Sequence, residues 1–162
     1  MANKYLLAID PGNVQSAYAL IEQETYSPIM AEKLPNAMMR KYLNSRLALN
    51  NTDVVIEQVA HYGTGMPAGA TVFDTCIESG RFIQIASDFA IDAHRMLRAS
   101  VKTQICGTPR AKDSNVIQAL KDRFGEKGTK KNPGWFYGFN ADCWQAYALG
   151  VAWLDEREMS NG

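Results

Sequence analysis

The sequence predicts an α/β fold in which a mixed sheet, an antiparallel meander joined to parallel strands, is flanked by helices. Three strand-like segments follow one another at the start of the chain, with only short turns between them. Later strand-like segments instead alternate with segments of helical periodicity, which is typical of crossover connections. The 162 residues, 46% of them hydrophobic, suffice for one core, so a single domain over residues 1–162 is expected.

The first three strands are predicted at residues 4–10, 15–22 and 27–34. The first, KYLLAID, is apolar and ends in Asp10-Pro11-Gly12, a combination typical of a tight turn. The second, QSAYALIE, alternates between two faces, as a strand in a hairpin does. A third segment of similar length completes the predicted antiparallel meander.

The remaining elements are predicted in the order α-β-α-β-α-α. Helices are expected at 37–49, 70–90, 112–124 and about 140–155, and strands at 53–58 and 95–98. In the first helix, Met38, Tyr42, Ser45 and Leu49 have near-helical spacing. Asn140 is a favourable N-cap for the last helix.

Composition limits the classes of function. The formal net charge is zero and the pI is about 6.7, which argues mildly against a nucleic-acid-binding protein, although local basic surface can be hidden in such a sum. Three cysteines spaced far apart suit neither a disulfide framework nor a zinc site. No apolar segment has the length of a membrane span or a signal sequence. A cytoplasmic protein without membrane association is therefore expected.

Three acidic residues lie at positions that suit a shared metal-binding site. Asp10 ends the first strand, Glu57 lies near the end of the apolar strand DVVIEQ, and Asp142 lies in the first turn of the last helix. If they converge, they form an oxygen-rich site suited to Mg²⁺. Each also has a simpler explanation, namely a turn, a buried ion pair and a favourable helix-dipole contact. Their combination on this order of elements favours the metal site.

Five segments together resemble the RuvC family of Holliday-junction resolvases, which belongs to the RNase H-like superfamily. They are LAIDPG at 7–12, VIEQV at 55–59, VKTQICG at 101–107, RAKDSNVIQAL at 110–120 and ADCWQAYALGVAW at 141–153. Their order and spacing are compatible with the family over nearly the whole chain. ESGRFIQ and KKNPGWFYGFN point to its phage-borne branch, so the expected compartment would be the host cytoplasm.

The resemblance implies an RNase H-like fold, a homodimer and cleavage of four-way junctions or other branched DNA. It implies two Mg²⁺ ions per active site, with Mn²⁺ as a substitute. Asp10, Glu57 and Asp142 match the family's metal-binding acids. Lys102 and Lys112 match lysines that hold the DNA backbone near the site.

The sequence departs from the family pattern at two places. Phe139 occupies the position of a fourth metal ligand, for which Asp113, Gln145 or a water could substitute. Where the family has an aromatic residue that enters the junction centre, this chain has Ala60, followed by His61 and Tyr62. His61 and Tyr62 are therefore candidate DNA-binding residues, and Tyr62 could stack on an unpaired base.

A basic loop at residues 125–134 precedes the last helix and is expected to be flexible. Lys127, Lys130 and Lys131 could contact DNA phosphates there, although charged loops are often only solvated.

Three alternatives to a junction resolvase stay open. A less selective nuclease would also cut flaps or forks, and a non-catalytic module would bind branched DNA without cutting it. An actin-like phosphotransferase ranks last, because the chain lacks a second Asp-x-Gly turn and the length for two lobes.

Overall fold

The computed structural model describes residues 3–61 and 67–162. Within them, five strands and five helices follow one another in the order βββαβαβααα. The strands are β1 (Tyr5–Asp10), β2 (Gln15–Glu22), β3 (Pro28–Pro35), β4 (Thr52–Gln58) and β5 (His94–Leu97). The helices are α1 (Asn36–Leu47), α2 (Ala70–Asp88), α3 (Arg98–Cys106), α4 (Asp113–Phe124) and α5 (Ala141–Asn161).

The five strands form one mixed sheet in the order β3-β2-β1-β4-β5. β1 pairs antiparallel with β2, and β2 antiparallel with β3, whereas β4 is parallel to both β1 and β5. The predicted meander joined to parallel strands is therefore confirmed.

Both faces of the sheet are covered by helices. On one face, Ala17, Ala19 and Ile21 pack in a core with residues of α3, α4 and α5. On the other face, Tyr18 and Leu20 pack against α1 and α2. The strict alternation along β2 arises because successive side chains of a strand point to opposite faces.

The residues whose spacing predicted α1 are mostly not the ones that it buries, although Tyr42 packs partly buried against the core. Met39, Leu43 and Leu47 are buried, whereas Met38 and Leu49 are 53% and 59% exposed. Adjacent apolar residues create two overlapping stripes of helical period in this segment, and only packing against the sheet selects between them.

The structure also adds a helix and extends another. Residues 98–106, for which no helix was predicted, form α3, and α5 continues to Asn161 rather than ending near 155. In α3, Val101, Thr103 and Ile105 are β-branched and have weak helix propensity, so the helix depends on its packing with α4 and α5.

None of the helices in the described part of the chain is long and apolar enough to cross a membrane. The cysteines are all free, with Cys76 exposed and Cys143 buried.

The last helix approaches the sheet most closely at Gly150. A Cβ added at this position would meet Cδ1 of Ile21 and lie 3.2 Å from Cβ of Ala8. The absence of a side chain at Gly150 therefore lets α5 lie directly on β1 and β2, and this contact sets the distance between α5 and the sheet.

We expect larger side chains at Gly150 to destabilise the protein progressively. Gly150→Val should lower the free energy of unfolding by about 1–3 kcal/mol, because the packed core has no space for it. Gly150→Ala should lower it less. Urea unfolding measures both. Ala and Val are better helix formers than Gly, so helix propensity alone predicts that both variants raise the free energy of unfolding. Stabilised variants would therefore contradict the close packing.

Candidate active site

The central feature of the candidate site is a pair of neighbouring carboxyl groups. β1 and β4 are parallel, and Ile9 lies opposite Ile56, so Asp10 and Glu57 are the next residues of the two strands. Burial raises the pKa of Asp10 to about 8, helped by the charge of Glu57 and a hydrogen bond to it. The charge of Arg98 opposes this shift. Asp10 therefore retains a proton near neutral pH unless a cation binds beside it.

The third predicted acid, Asp142, lies beside this pair on the first turn of α5. Asn140 caps the helix, its Oδ1 accepting a hydrogen bond from the Cys143 backbone N–H over 3.3 Å. This fixes the direction in which α5 begins. Asp142 Oδ2 accepts a hydrogen bond of 2.7 Å from Nζ of Lys33 on β3, and the Asp142 charge also contributes to the raised pKa of Asp10.

Asp10 separates two adjacent cavities. The smaller, about 200 Å³, is lined by Asp10, Glu57 and Arg98 and by Thr75 of α2. The larger, about 360 Å³, is lined by Asp10, the turn after β1, Lys33 and Asp142. One carboxylate thus faces two pockets, each with a further acid and a basic residue.

The basic residue of the smaller cavity, Arg98, begins α3. Arg98 Nη1 lies 3.7 Å from Glu57 Oε1, and Arg98 Nη2 lies 2.5 Å from Asp113 Oδ1 at the start of α4. Lys102 Nζ is 3.7 Å from the same Asp113 oxygen. We refer to the acids and their basic partners together as the charged cluster, which consists of Asp10, Glu57, Asp113, Asp142, Lys33, Arg98 and Lys102.

The other predicted DNA-binding residues lie outside this cluster. Lys112 is exposed at the N-cap of α4, and His61 is exposed three residues beyond the end of β4. Tyr62 lies outside the described residues.

Lys127, Lys130 and Lys131 are exposed in the basic loop. The loop, predicted to be flexible, is closed by a bridge between Gly128 and Pro133 and by a hydrogen bond of 2.8 Å from the Gly134 N–H to the Lys127 carbonyl.

Phe139 is part of the core. Its ring is 5.2 Å from that of Phe136, 5.1 Å from that of Trp144 and 5.6 Å from that of Tyr147. The segment before α5 is therefore fixed by aromatic packing, and the position at which the resemblance implies a fourth metal ligand is apolar.

The carboxylates suit a hard cation, but the number that can hold one ion together is restricted. Across residues 3–61 and 67–162, no three acidic, histidine or cysteine side chains are grouped closely enough to hold one metal ion together. Asp142 and Asp113 contact basic side chains at 2.7 Å and 2.5 Å, more closely than Glu57, which is 3.7 Å from Arg98. Asp10 and Glu57 remain as a contacting pair, and two carboxylates suffice for Mg²⁺, which keeps several of its waters.

Sequence reasoning missed Arg98 and Lys33. Arg98 begins a helix that was not predicted, and Lys33 lies on an edge strand where an exposed lysine is ordinary. In the pairing of β2 with β3, Lys33 lies opposite Ala17, close to the end of β1. The register of the predicted hairpin was therefore the signal that could have placed Lys33 near Asp10.

The arrangement of strands and helices is that of the RNase H-like fold, as in RuvC. A RuvC structure from Thermus thermophilus is 16% identical, with 96% of each chain covered and a TM-score of 0.67. T. thermophilus RuvC in complex with a Holliday junction substrate is 13% identical, with 97% of this chain and 96% of that chain covered and a TM-score of 0.70. No protein-family model and no curated protein sequence matches the chain.

The raised pKa of Asp10 predicts a pH-dependent stability of the metal-free protein. Between its ordinary pKa of 3.8 and its folded pKa of about 8, Asp10 is protonated in the folded state and ionised in the unfolded state. The folded state then binds more protons, so stability falls as pH rises through this window and levels off above it. Asp10→Asn should remove this fall and gain on the order of 2–5 kcal/mol relative to wild type between about pH 4 and about pH 9.

Urea unfolding in EDTA across this pH range measures the effect. Exposed Asp92 provides the matched control, since Asp92→Asn should leave the slope of stability against pH unchanged. Parallel pH curves for wild type and Asp10→Asn would contradict the raised pKa of Asp10.

Proposed function

We propose that this protein is a Mg²⁺-dependent endonuclease that cuts branched DNA, with four-way junctions as its substrate. The observation that carries the proposal is the contact between Asp10 and Glu57 at the ends of two parallel strands, with Asp142 across the next cavity. The fold supports it, because the chain matches RuvC bound to a Holliday junction substrate over nearly its full length.

The donor set supports a divalent ion at the carboxyl pair. Asp10 and Glu57 would hold it, and Mn²⁺ would substitute, because both ions accept carboxylate oxygens. When bound, the ion supplies positive charge to the phosphate and eases deprotonation of the attacking water. Two ions per site and Asp142 as a ligand remain predictions from the resemblance.

The surrounding side chains position the strand and offset its charge. Lys102 reaches Asp113 at the edge of the cluster, and Lys112 is exposed one residue before Asp113. Both suit contacts to the DNA backbone near the cluster. In hydrolysis the water oxygen bonds to phosphorus and the bond to the 3′ oxygen breaks. The water proton passes to that oxygen, leaving a 5′-phosphate and a 3′-hydroxyl.

The basic loop offers a second region for phosphate contacts. The loop that carries the exposed Lys127, Lys130 and Lys131 is held in shape by its internal bridge. Little conformational entropy would therefore be lost when it binds DNA. His61 and Tyr62 remain the candidates for contact with the junction centre.

A homodimer would place two sites on a nearly two-fold symmetric junction. Helix α2 carries an exposed apolar face that could form its interface, since Phe73 is 58% and Ile77 56% exposed and the two residues are one turn apart. We assign the dimer interface to this face because a two-fold contact would bring the apolar residues of both copies together.

We expect symmetric Mg²⁺-dependent nicks on a labelled mobile four-way junction, abolished by EDTA. Asp10→Asn and Glu57→Gln should each reduce cutting by about 100-fold or more, because each removes charge from the carboxyl pair. Junction binding, measured by fluorescence anisotropy, should change little. Asp92→Asn is the matched control.

Substrate selectivity separates the junction resolvase from its alternatives. Equal cutting of junctions and forks would favour a less selective nuclease of the same fold. Tight junction binding without cutting at any Mg²⁺ concentration would favour a non-catalytic module. Lys33 and Arg98, the basic partners of Asp142 and Glu57, would then serve DNA binding.

The α2 surface predicts the oligomeric state. Ile77→Asp should convert a dimer to a monomer in light scattering, because two charges would meet at the symmetric interface. Paired cuts on the junction should then give way to single nicks. Met159, which is 72% exposed on α5, provides the control, and Met159→Asp should leave the mass unchanged. A wild-type monomer on junction DNA would contradict the dimer.

A further inference from the structure

Arg98, the first residue of α3, lies next to the carboxyl pair. Its guanidinium contacts Glu57 on β4 and Asp113 on α4, and it lines the same cavity as Asp10. Two anchors on different elements hold it there, and its side chain is only 30% exposed. Arg98 is therefore a fixed positive charge inside the cavity and differs from a solvated surface arginine.

The charged cluster contains nearly as much positive as negative charge. With all its acids ionised, it has four carboxylates against Lys33, Arg98 and Lys102. Its net charge is then minus one. A single divalent ion brings it to plus one, which complements one phosphodiester. A second divalent ion would bring it to plus three in a confined site, at a substantial electrostatic cost.

The other acids of the cluster are more closely engaged with basic side chains than Glu57, which lies 3.7 Å from Arg98. Asp142 is hydrogen-bonded to Lys33, and Asp113 is paired with Arg98 and Lys102. The apolar Phe139 is buried among aromatic rings. The carboxyl pair of Asp10 and Glu57 is thus the one pair of contacting acids within the cluster, and it is sufficient for one ion.

We propose that this site departs from the two ions that the resemblance implies: it binds one divalent ion, between Asp10 and Glu57, and Arg98 takes the place of the second ion by contacting a non-bridging oxygen of the scissile phosphate. The inference rests on the proposed nuclease function and specifies its catalytic set.

The chemistry of arginine suits this role. A guanidinium stays charged and carries five N–H donors in a planar fork, so it can remain on its carboxylate anchors while donating to a phosphate oxygen. Glu57 and Asp113 fix its position before the substrate arrives, which lowers the cost of ordering it on binding. Lys33 would similarly keep Asp142 neutralised on the opposite side of Asp10.

Electron paramagnetic resonance of Mn²⁺ tests the ion count without relying on activity. Wild-type protein, alone and with a four-way junction after subtraction of the junction's own signal, should show one Mn²⁺ per chain with an uncoupled spectrum. Two Mn²⁺ per chain with a spin-coupled spectrum would overturn the proposal.

Substitution of Arg98 tests its role by two effects of opposite direction. Arg98→Ala should tighten Mn²⁺ binding by about 10-fold, because a positive charge beside the ion is removed. The same variant should cut the junction about 100-fold more slowly at saturating protein, because a group that stabilises the transition-state charge is lost. A purely structural arginine would not produce tighter metal binding together with slower cutting.

Two further variants control for charge and folding. Arg98→Lys keeps the charge, so Mn²⁺ affinity should stay near the wild-type value while cutting slows by about 10-fold. Arg95→Ala removes the same charge from an exposed residue that lines a different cavity with Trp153 and Arg157. It should change neither quantity. Thermal unfolding of each variant confirms that it is folded.

The outcomes separate this inference from the proposed function. Junction cutting by Arg98→Ala within about two-fold of wild type would overturn the role of Arg98 while leaving the nuclease intact. If the wild type cut no branched DNA, the proposed function would fail and Arg98's contact with a scissile phosphate would fail with it. The Mn²⁺ count would then still decide whether the carboxyl pair holds a single ion.

Discussion

The parallel pairing of β1 with β4 is the constraint on which the candidate site depends. Its register puts Asp10 and Glu57 side by side at the edge of the sheet, where both are partly removed from water. Two carboxylates in contact repel each other, and burial increases the cost of charging them. The site must therefore hold either a proton or a cation, and this requirement explains why basic residues from β3 and α3 surround it.

The position of α5 is the second determinant of the site's shape. Gly150 allows close contact with β1 and β2, and the Tyr147 hydroxyl donates a hydrogen bond of 2.8 Å to the backbone carbonyl of Tyr26. Asn140 and the aromatic cluster around Phe139 fix the start of the helix. Asp142 is consequently presented from a rigid element, and the residue three positions before it, Phe139, is apolar.

Much of the fold could be predicted because its signals are local. The alternation along β2 and the N-cap of α5 follow from side-chain direction and hydrogen-bonding capacity within a few residues. By contrast, local signals do not determine which face of α1 is buried or whether α3 forms. Adjacent methionines in α1 fit two stripes, and the β-branched residues of α3 become helical only through packing with α4 and α5.

The sequence by itself determined the acids of the site, because an aspartate before Pro-Gly and a glutamate in a strand of Val and Ile are conspicuous exceptions to their surroundings. Only the tertiary structure decided which charges oppose them. Arg98 is 41 residues from Glu57 and Lys33 is 109 residues from Asp142 along the chain. No local pattern encodes such pairs, because they arise when α3, α5 and β3 converge on the end of β1, and they determine how many further cations the carboxylates can accept.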